Sequence, residues 1–323
     1  MTLGETDIAS TRAAGRRIDA LDLARGVALI AMAIYHFTWD LENFGYVQPG
    51  LTGHGGWKIF ARCIASSFLF LMGVSLVLAH TRGIHWRSFW RRWLGVVAGA
   101  VAITLVTFFV TPQGYVFFGI LHEIALASLL GLAFLRLPYG ATALAGLAVV
   151  ALPQFVTTDL TDPKWLAWIG MAAKPPVSND YVPLFPWFGA VLLGMAAAQY
   201  AASIDAWSRL RLWNPTLRRA APLAWLGRHS LLFYLLHQPL LFGLVAGTAM
   251  VFPPDLSQRL EREVKAECMT STSNEPLCTR YTSCLMNGLR EQDLVSVTVQ
   301  NDPSAEQLIQ IRGLITSCSA SAE

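Results

Sequence analysis

His36 and Asp40 stand four residues apart in an otherwise apolar stretch, a spacing that puts an imidazole and a carboxylate on one face of a helix. A carboxylate beside an imidazole fixes its tautomer and raises its basicity, which is what a general base requires. The competing reading is an interfacial histidine held by a backbone carbonyl. Counted from Leu21, His36 lies about 22 Å along such a helix, inside a hydrocarbon core of about 30 Å. An imidazole at that depth must be satisfied by protein or by a wet cavity, so it marks a candidate site.

His122 and His237 occupy comparable depths in two other apolar stretches, and three imidazoles at similar depth suggest one cavity. His122 and Glu123 fall about 10 Å in from Tyr115 and point roughly 100° apart, so only one of them directly faces the bundle centre. Glu123 is costly in lipid unless paired, protonated or hydrated. Leu226-Gly227-Arg228-His229-Ser230 opens the stretch that runs through Tyr234 to His237 and Gln238. His122, Glu123, His237 and Tyr234 are therefore read as lining or supporting the cavity. Arg25 and Arg228, with His229, sit just inside the inner boundary. They either snorkel to water or offer positive charge to an anionic cofactor.

Two loops carry further candidates. In Thr52-Gly53-His54-Gly55-Gly56-Trp57 the flanking glycines allow close backbone approach, and a flexible loop can bring His54 over the outer mouth of a cavity. The plainer reading is a solvated turn histidine beside an interfacial tryptophan. Asn179, Asp180 and Tyr181 can hydrogen-bond a hydroxylated acceptor such as a sugar, although the tryptophans around them also fit an aromatic belt.

The elements that must position these groups are membrane helices. The chain of 323 residues is 54% hydrophobic and only 14% charged, with a mean hydropathy of +0.45, too apolar for an ordinary soluble domain. The pattern predicts an all-α integral membrane protein with about seven spans, near 20–39, 59–80, 93–111, 115–136, 139–156, 185–204 and 222–252. Pro239 is expected to kink the last. The first apolar run leads into polar loop residues rather than a cleavage site, and reads as a permanent span. Arg12, Arg16 and Arg17, then Arg82, Arg87, Arg91 and Arg92, then Arg209, Arg211, Arg218 and Arg219 fall on one side; Lys58, Arg62, Lys164 and Lys174 are sparse on the other. The positive-inside rule makes 1–17 a cytoplasmic segment, 18–252 the membrane domain and 253–323 an extracytoplasmic tail.

That tail has weak helical patterns at 255–268 and 303–317 and holds Cys268, Cys278, Cys284 and Cys318, leaving Cys63 in the second span. Four cysteines in an exported segment read as two disulfides with three pairings open. Paired C-x-x-C spacing is missing and no histidine lies nearby, so no metal is expected. Nothing resembles a nucleic-acid module or a glycine-rich phosphate loop.

Asp22-Leu23-Ala24-Arg25-Gly26, Tyr35-His36-Phe37, Phe70-Leu71-Met72-Gly73, Gly119-Ile120-Leu121-His122 and Gly227 through His237 occur in that order. Together they resemble the bacterial relatives of heparan-alpha-glucosaminide N-acetyltransferase, within the wider transmembrane acyltransferase group, over roughly residues 16–250. The resemblance implies acetyl transfer from cytosolic acetyl-CoA, a co-substrate, to an acceptor across the membrane by an essential histidine. In the lysosomal enzyme that histidine lies in a His-x-x-Trp setting in the first luminal loop, which His54-Gly55-Gly56-Trp57 matches. The chain departs from that enzyme in having fewer spans and an unmatched cysteine-bearing tail, so the acceptor does not transfer with the resemblance.

The resulting expectation is a bacterial inner-membrane O- or N-acyltransferase acting on a glycan or other envelope acceptor. His54 or His36 would be the base, Asp40 would orient His36, and Arg25, Arg228 and His229 would hold the donor. Asn179, Asp180 and Tyr181 would meet the acceptor. The lipid bilayer is the expected partner, nucleic acid is not, and homo-oligomer formation stays open. The rival readings are a proton-coupled transporter relaying protons through the same groups, and a non-catalytic anchor or sensor whose working part is the tail.

Overall fold

The computed structural model describes residues 18–322 apart from 49, 82, 213–219, 273 and 301–302. The segment 1–17 and Arg12, Arg16, Arg17, Arg82, Arg218 and Arg219, which entered the orientation argument, lie outside the described residues. Helices α1 (Asp19–Asn43), α2 (Gly55–Ala79) and α3 (Trp86–Val110) are followed by the shorter α4 (Ile120–Gly131) and α5 (Tyr139–Ala151). Next come α6 (Lys164–Ala167), α7 (Leu184–Ser203), α8 (Ala206–Leu212), α9 (Ala221–Arg228) and α10 (Ser230–Val251). The tail forms α11 (Leu256–Thr272), α12 (Glu275–Glu291), α13 (Val295–Gln300) and α14 (Ala305–Ala322). The chain divides into two compact units, one of the described residues up to Ala33 with Phe60–His237, the other of Ile34–Ile59 with the residues from Gln238 onward.

Helices α1, α2, α3, α7 and α10 are long and apolar enough to cross a bilayer. The other two expected spans are shorter apolar stretches, Ile120–Phe134 and Tyr139–Gln154. The fourth was expected from residue 115 but begins at Ile120, because Pro112–Gly114 forms a 3-10 turn and 115–119 runs non-helical. The seventh was expected as one helix kinked at Pro239. It breaks instead at His229, where φ is −106° and the amide turns back to Trp225 and Leu226, and α10 continues through Pro239. Arg87, Arg91 and Arg92, assigned to a loop, lie in the first turns of α3.

In the first unit the helices touch where glycine removes the side chain. A Cβ on Gly227 would lie 1.8 Å from Asp22 O, and one on Gly26 would lie 2.1 Å from Leu223 O, so α1 and α9 meet backbone to backbone. Gly73 and Gly194 serve α2 and α7 alike, with Cβ positions 2.1 Å from Val191 O and 2.1 Å from Phe70 O. Lipid is as apolar as leucine, so close approach of this kind, not hydrophobic exclusion, holds membrane helices together. The buried cluster of Leu69, Val191, Leu192, Met195, Phe188 and Ala127 grows around the second crossing.

In the second unit, α11–α14 enclose their own small core of Leu260, Leu285, Met286, Leu289 and Ile311. Asn274 caps α12 by accepting from the Leu277 amide at 3.2 Å. The expected two disulfides form as Cys268–Cys278 and Cys284–Cys318, while Cys63 is free. Two helices in this tail, α12 and α13, were not anticipated.

Gly73→Ala should lower the melting temperature in detergent, since overpacking costs about 1–3 kcal/mol and the obstacle is backbone. Gly95→Ala, with nothing within 4 Å of its Cβ, should not, and equal melting of the two variants would contradict the crossing. Peptide mapping without reductant should recover only the two stated bridges. Reduction should weaken the tail by roughly 3 kcal/mol per closed loop, seen as faster proteolysis of residues 256–322.

Candidate active site

In the second unit, the end of α1 organises the loop that carries His54. The carboxylate of Glu42 accepts from the amides of Gly50 (2.5 Å) and Thr52 (2.9 Å) and from the Thr52 hydroxyl (2.6 Å). His54 then precedes α2 as its capping residue, its carbonyl accepting from the Lys58 amide at 3.2 Å. Its side chain is exposed, with Nδ1 2.8 Å from Gly50 O. Trp57 stands 6.4 Å from the Tyr35 ring. The imidazole is thus presented outward on a clamped loop, not a slack one.

Asp40 was expected to orient His36. Instead Asp40 Oδ1 accepts from Gln238 Nε2 at 2.8 Å. Asp40 is fully buried, and among the described residues its Oδ2 and Gln238 Oε1 have no hydrogen-bond partner. The pair therefore leaves two buried acceptor atoms without a hydrogen bond among the described residues. His36 lies edge-on to Tyr35, ring centroids 5.7 Å apart.

In the first unit, the chain after α3 folds back and is pinned by the segment 178–182. Asn179 Nδ2 donates to Thr111 Oγ1 at 3.0 Å, and its amide donates to Gly114 O at 2.8 Å. The Val182 amide donates to Phe118 O at 3.1 Å. Asp180 Oδ2 accepts from the Ile120 amide at 2.9 Å and from the Tyr234 hydroxyl at 3.4 Å. Tyr181 donates its hydroxyl to Ala167 O at 2.7 Å. A Cβ on Gly119 would fall 2.2 Å from Asp180 Oδ2, so only glycine admits this grip. Burial raises the Asp180 carboxyl above the usual range, opposed by the Ile120 amide and the Tyr234 hydroxyl, and burial also raises the Tyr181 phenol. The trio expected to meet an acceptor thus first holds the fold, with Asn179 remaining exposed.

His122 shares that task. The Gly119 amide donates to His122 Nδ1 at 3.2 Å, so the proton sits on Nε2, which donates to Thr104 Oγ1 at 3.2 Å. Thr104 passes its own proton to Val116 O at 2.7 Å. Glu123 is fully buried on the face of Ile120 and Ala127. Neither of its carboxylate oxygens has a hydrogen-bond partner among the described residues.

A mostly apolar cavity of about 330 Å³ lies beside these elements, with Arg25, Arg92, Ser75, Ser230 and Tyr234 as the polar part of its lining and Leu29, Phe68 and Ile124 among the apolar part. Arg25 pairs with Asp22 at 2.8 Å and donates to Ser75 Oγ. Arg92, not Arg228, is the second arginine here. Arg228 ends α9 exposed. His229 folds back with Nδ1 2.9 Å from Trp225 O and its ring 4.6 Å from that indole. Among the described residues no imidazole lines this cavity, and of the expected supporting groups only Tyr234 does. His237 is buried, Nδ1 2.7 Å from Tyr234 O, and stacked on Phe233. A larger groove of about 1110 Å³ along α1, α2 and α7 is nearly all apolar.

Sequence reasoning missed Glu42, Ser75 and the role of Arg92. Arg92 fell just before the expected span at 93–111 and looked like one more loop arginine; Glu42 resembled an ordinary interfacial acid. Glu42→Gln turns one acceptor into a donor facing backbone N–H groups. Amide exchange at Gly50 and Thr52 should then accelerate about tenfold to a hundredfold, as expected for lost charge-assisted hydrogen bonds. Unchanged exchange would remove the clamp.

The family model described as "Heparan-alpha-glucosaminide N-acetyltransferase, catalytic" matches residues 17–239. No curated protein matches, and no solved structure does. The match spans both the His54 loop and the Arg25–Arg92–Tyr234 cavity, and the chain belongs to the heparan-alpha-glucosaminide N-acetyltransferase catalytic-domain family, a family of transmembrane acetyltransferases.

Proposed function

We propose that the protein moves the acetyl group of cytosolic acetyl-CoA to a hydroxyl or amine of an extracytoplasmic, glycan-like acceptor. The observation that carries this reading is the cavity with Arg25 and Arg92 toward one end of the helices and Tyr234 deeper in. Guanidinium groups are suited to phosphates, and the apolar walls suit the pantetheine arm. At about 330 Å³ the cavity is at the low end for small-molecule sites, so it fits the thioester-bearing arm with the nucleotide toward solvent.

His54 is the proposed base and His36 the second candidate. The base takes the proton of the acceptor O–H or N–H, and the freed lone pair bonds to the thioester carbonyl carbon. The C–S bond then breaks, and the leaving thiolate recovers a proton from the imidazolium. Transfer through an acyl-histidine splits the same balance into two steps. Asp40 with Gln238, and exposed Asn179, are proposed acceptor-side contacts.

The membrane domain of this reading is 18–252 and the exported tail 253–323, in a bacterial inner membrane with a cytoplasmic N-terminus. The tail disulfides support an oxidising, periplasmic side for that end. Arg87, Arg91 and Arg92 at the start of α3 support a cytoplasmic side for that helix end.

Purified protein in detergent should transfer label from acetyl-CoA to amino-sugar or hydroxyl acceptors, or hydrolyse the thioester, where a transporter would leave it intact. His54→Ala should lower kcat/KM by about a hundredfold or more. Arg25→Gln or Arg92→Gln should raise KM for acetyl-CoA by roughly tenfold. Full activity in both His54→Ala and His36→Ala would remove the catalytic assignment.

A further inference from the structure

We infer that the Tyr234 hydroxyl holds the thioester carbonyl of the donor, at the point where the donor cavity meets the segment 178–182. This rests on the acetyl-CoA reading above.

The depth of Tyr234 follows from its neighbours. A Cβ on Gly99, near the middle of α3, would meet Leu121, Leu231 and Leu235 within 4 Å. The second turn of α10 therefore flanks α3 about 10 Å beyond Arg92, and the start of α4 lies between that level and Thr104, which contacts His122 and Val116. Asp180 meets the start of α4 at the Ile120 amide, while its neighbour Asn179 is bonded to Thr111 and Gly114 just past Val110. The Tyr234–Asp180 contact thus joins a cavity lined by Arg25 and Arg92 to a segment anchored just past Val110.

The polar groups of the cavity differ in what they can do there. Ser75 is occupied, accepting from Arg25 and donating to Leu71 O. Ser230 opens α10 and lies about 6 Å back along the helix from Tyr234. Tyr234 lines the cavity together with Ile120, Ile124 and Leu231, and its hydroxyl is a hydrogen-bond donor. Its 3.4 Å contact to Asp180 is long for an O–H···O bond and therefore weak. Asp180 is held independently by the Ile120 amide at 2.9 Å, so the tyrosine can turn its proton to a better acceptor without releasing that grip.

A thioester carbonyl is such an acceptor. As the acceptor oxygen or nitrogen bonds to the carbonyl carbon, the carbonyl oxygen gains negative charge and its hydrogen bond strengthens. When the C–S bond breaks and the carbonyl reforms, the tyrosine still has its proton. A donor placed where charge develops acts on kcat more than on donor affinity.

Tyr234→Phe removes only the hydroxyl. The expected result is a fall in kcat of about tenfold to a hundredfold, allowing for a site open at one end, with KM for acetyl-CoA and melting temperature unchanged. In the wild-type protein, bound ¹³C-carbonyl acetyl-CoA should show an infrared stretch below that of the same thioester in hydrocarbon solvent, a reading that needs no variant to fold. A Tyr234→Phe kcat within twofold of wild type, a change in KM alone, or a hydrocarbon-like stretch would each overturn the inference while leaving the acetyltransferase reading intact. Wild-type protein that neither binds nor turns over acetyl-CoA would instead sink that reading.

Discussion

The acceptance of the Ile120 amide by the Asp180 carboxylate decides much of the first unit. A helix begins with amides that have no partner within it, and inside a membrane no water makes up the loss. Asp180 supplies the partner from another segment, and Gly119 leaves room for it. With the amide satisfied, α4 can start beside the middle of α3 instead of at the membrane surface. The preceding residues then form a non-helical segment, held by His122, Thr104 and Asn179. The same carboxylate touches Tyr234, so the element that ends the fold-back also meets a residue of the cavity wall.

Glu42 performs the equivalent task in the second unit. It too spends its oxygens on amides of irregular backbone, and in doing so presents a histidine outward. Polar side chains in a membrane protein thus divide into those that replace water for the backbone and those left for a ligand. His122 and Tyr181 are of the first kind. Asp40, Gln238 and Tyr234 keep unused or weakly used atoms, and Arg92 stands at a cavity wall with the Arg25–Asp22 pair. This division supports the proposed roles better than depth along a helix does.

The glycine crossings explain why a bundle with so little buried charge is specific in its packing. Where Gly73 meets Val191 and Gly227 meets Asp22, backbone lies on backbone, and no other residue reproduces the spacing. Arg25 sits one residue before Gly26, whose contact with Leu223 sets the relation of α1 to α9. The crossing that packs the helices therefore also helps place the arginine that lines the cavity.

Hydropathy and length made the helical membrane character, five of the seven expected spans and the two tail disulfides legible without coordinates, because each depends on local composition or on parity of cysteines. The ordered motifs from Asp22 to His237 likewise made the family legible. Which cysteines pair, where α4 begins, where the last span breaks and which arginine accompanies Arg25 were not. Each of these turns on a partner far away in the chain: Cys318 for Cys284, Asp180 for Ile120, Asp22 for Gly227, Arg92 for Arg25. Sequence by itself determined which segments leave water, since transfer free energy is a property of the segment. Tertiary structure alone decided which polar atoms are consumed by the fold and which stay available, since a hydrogen bond belongs to two groups that only folding brings within reach.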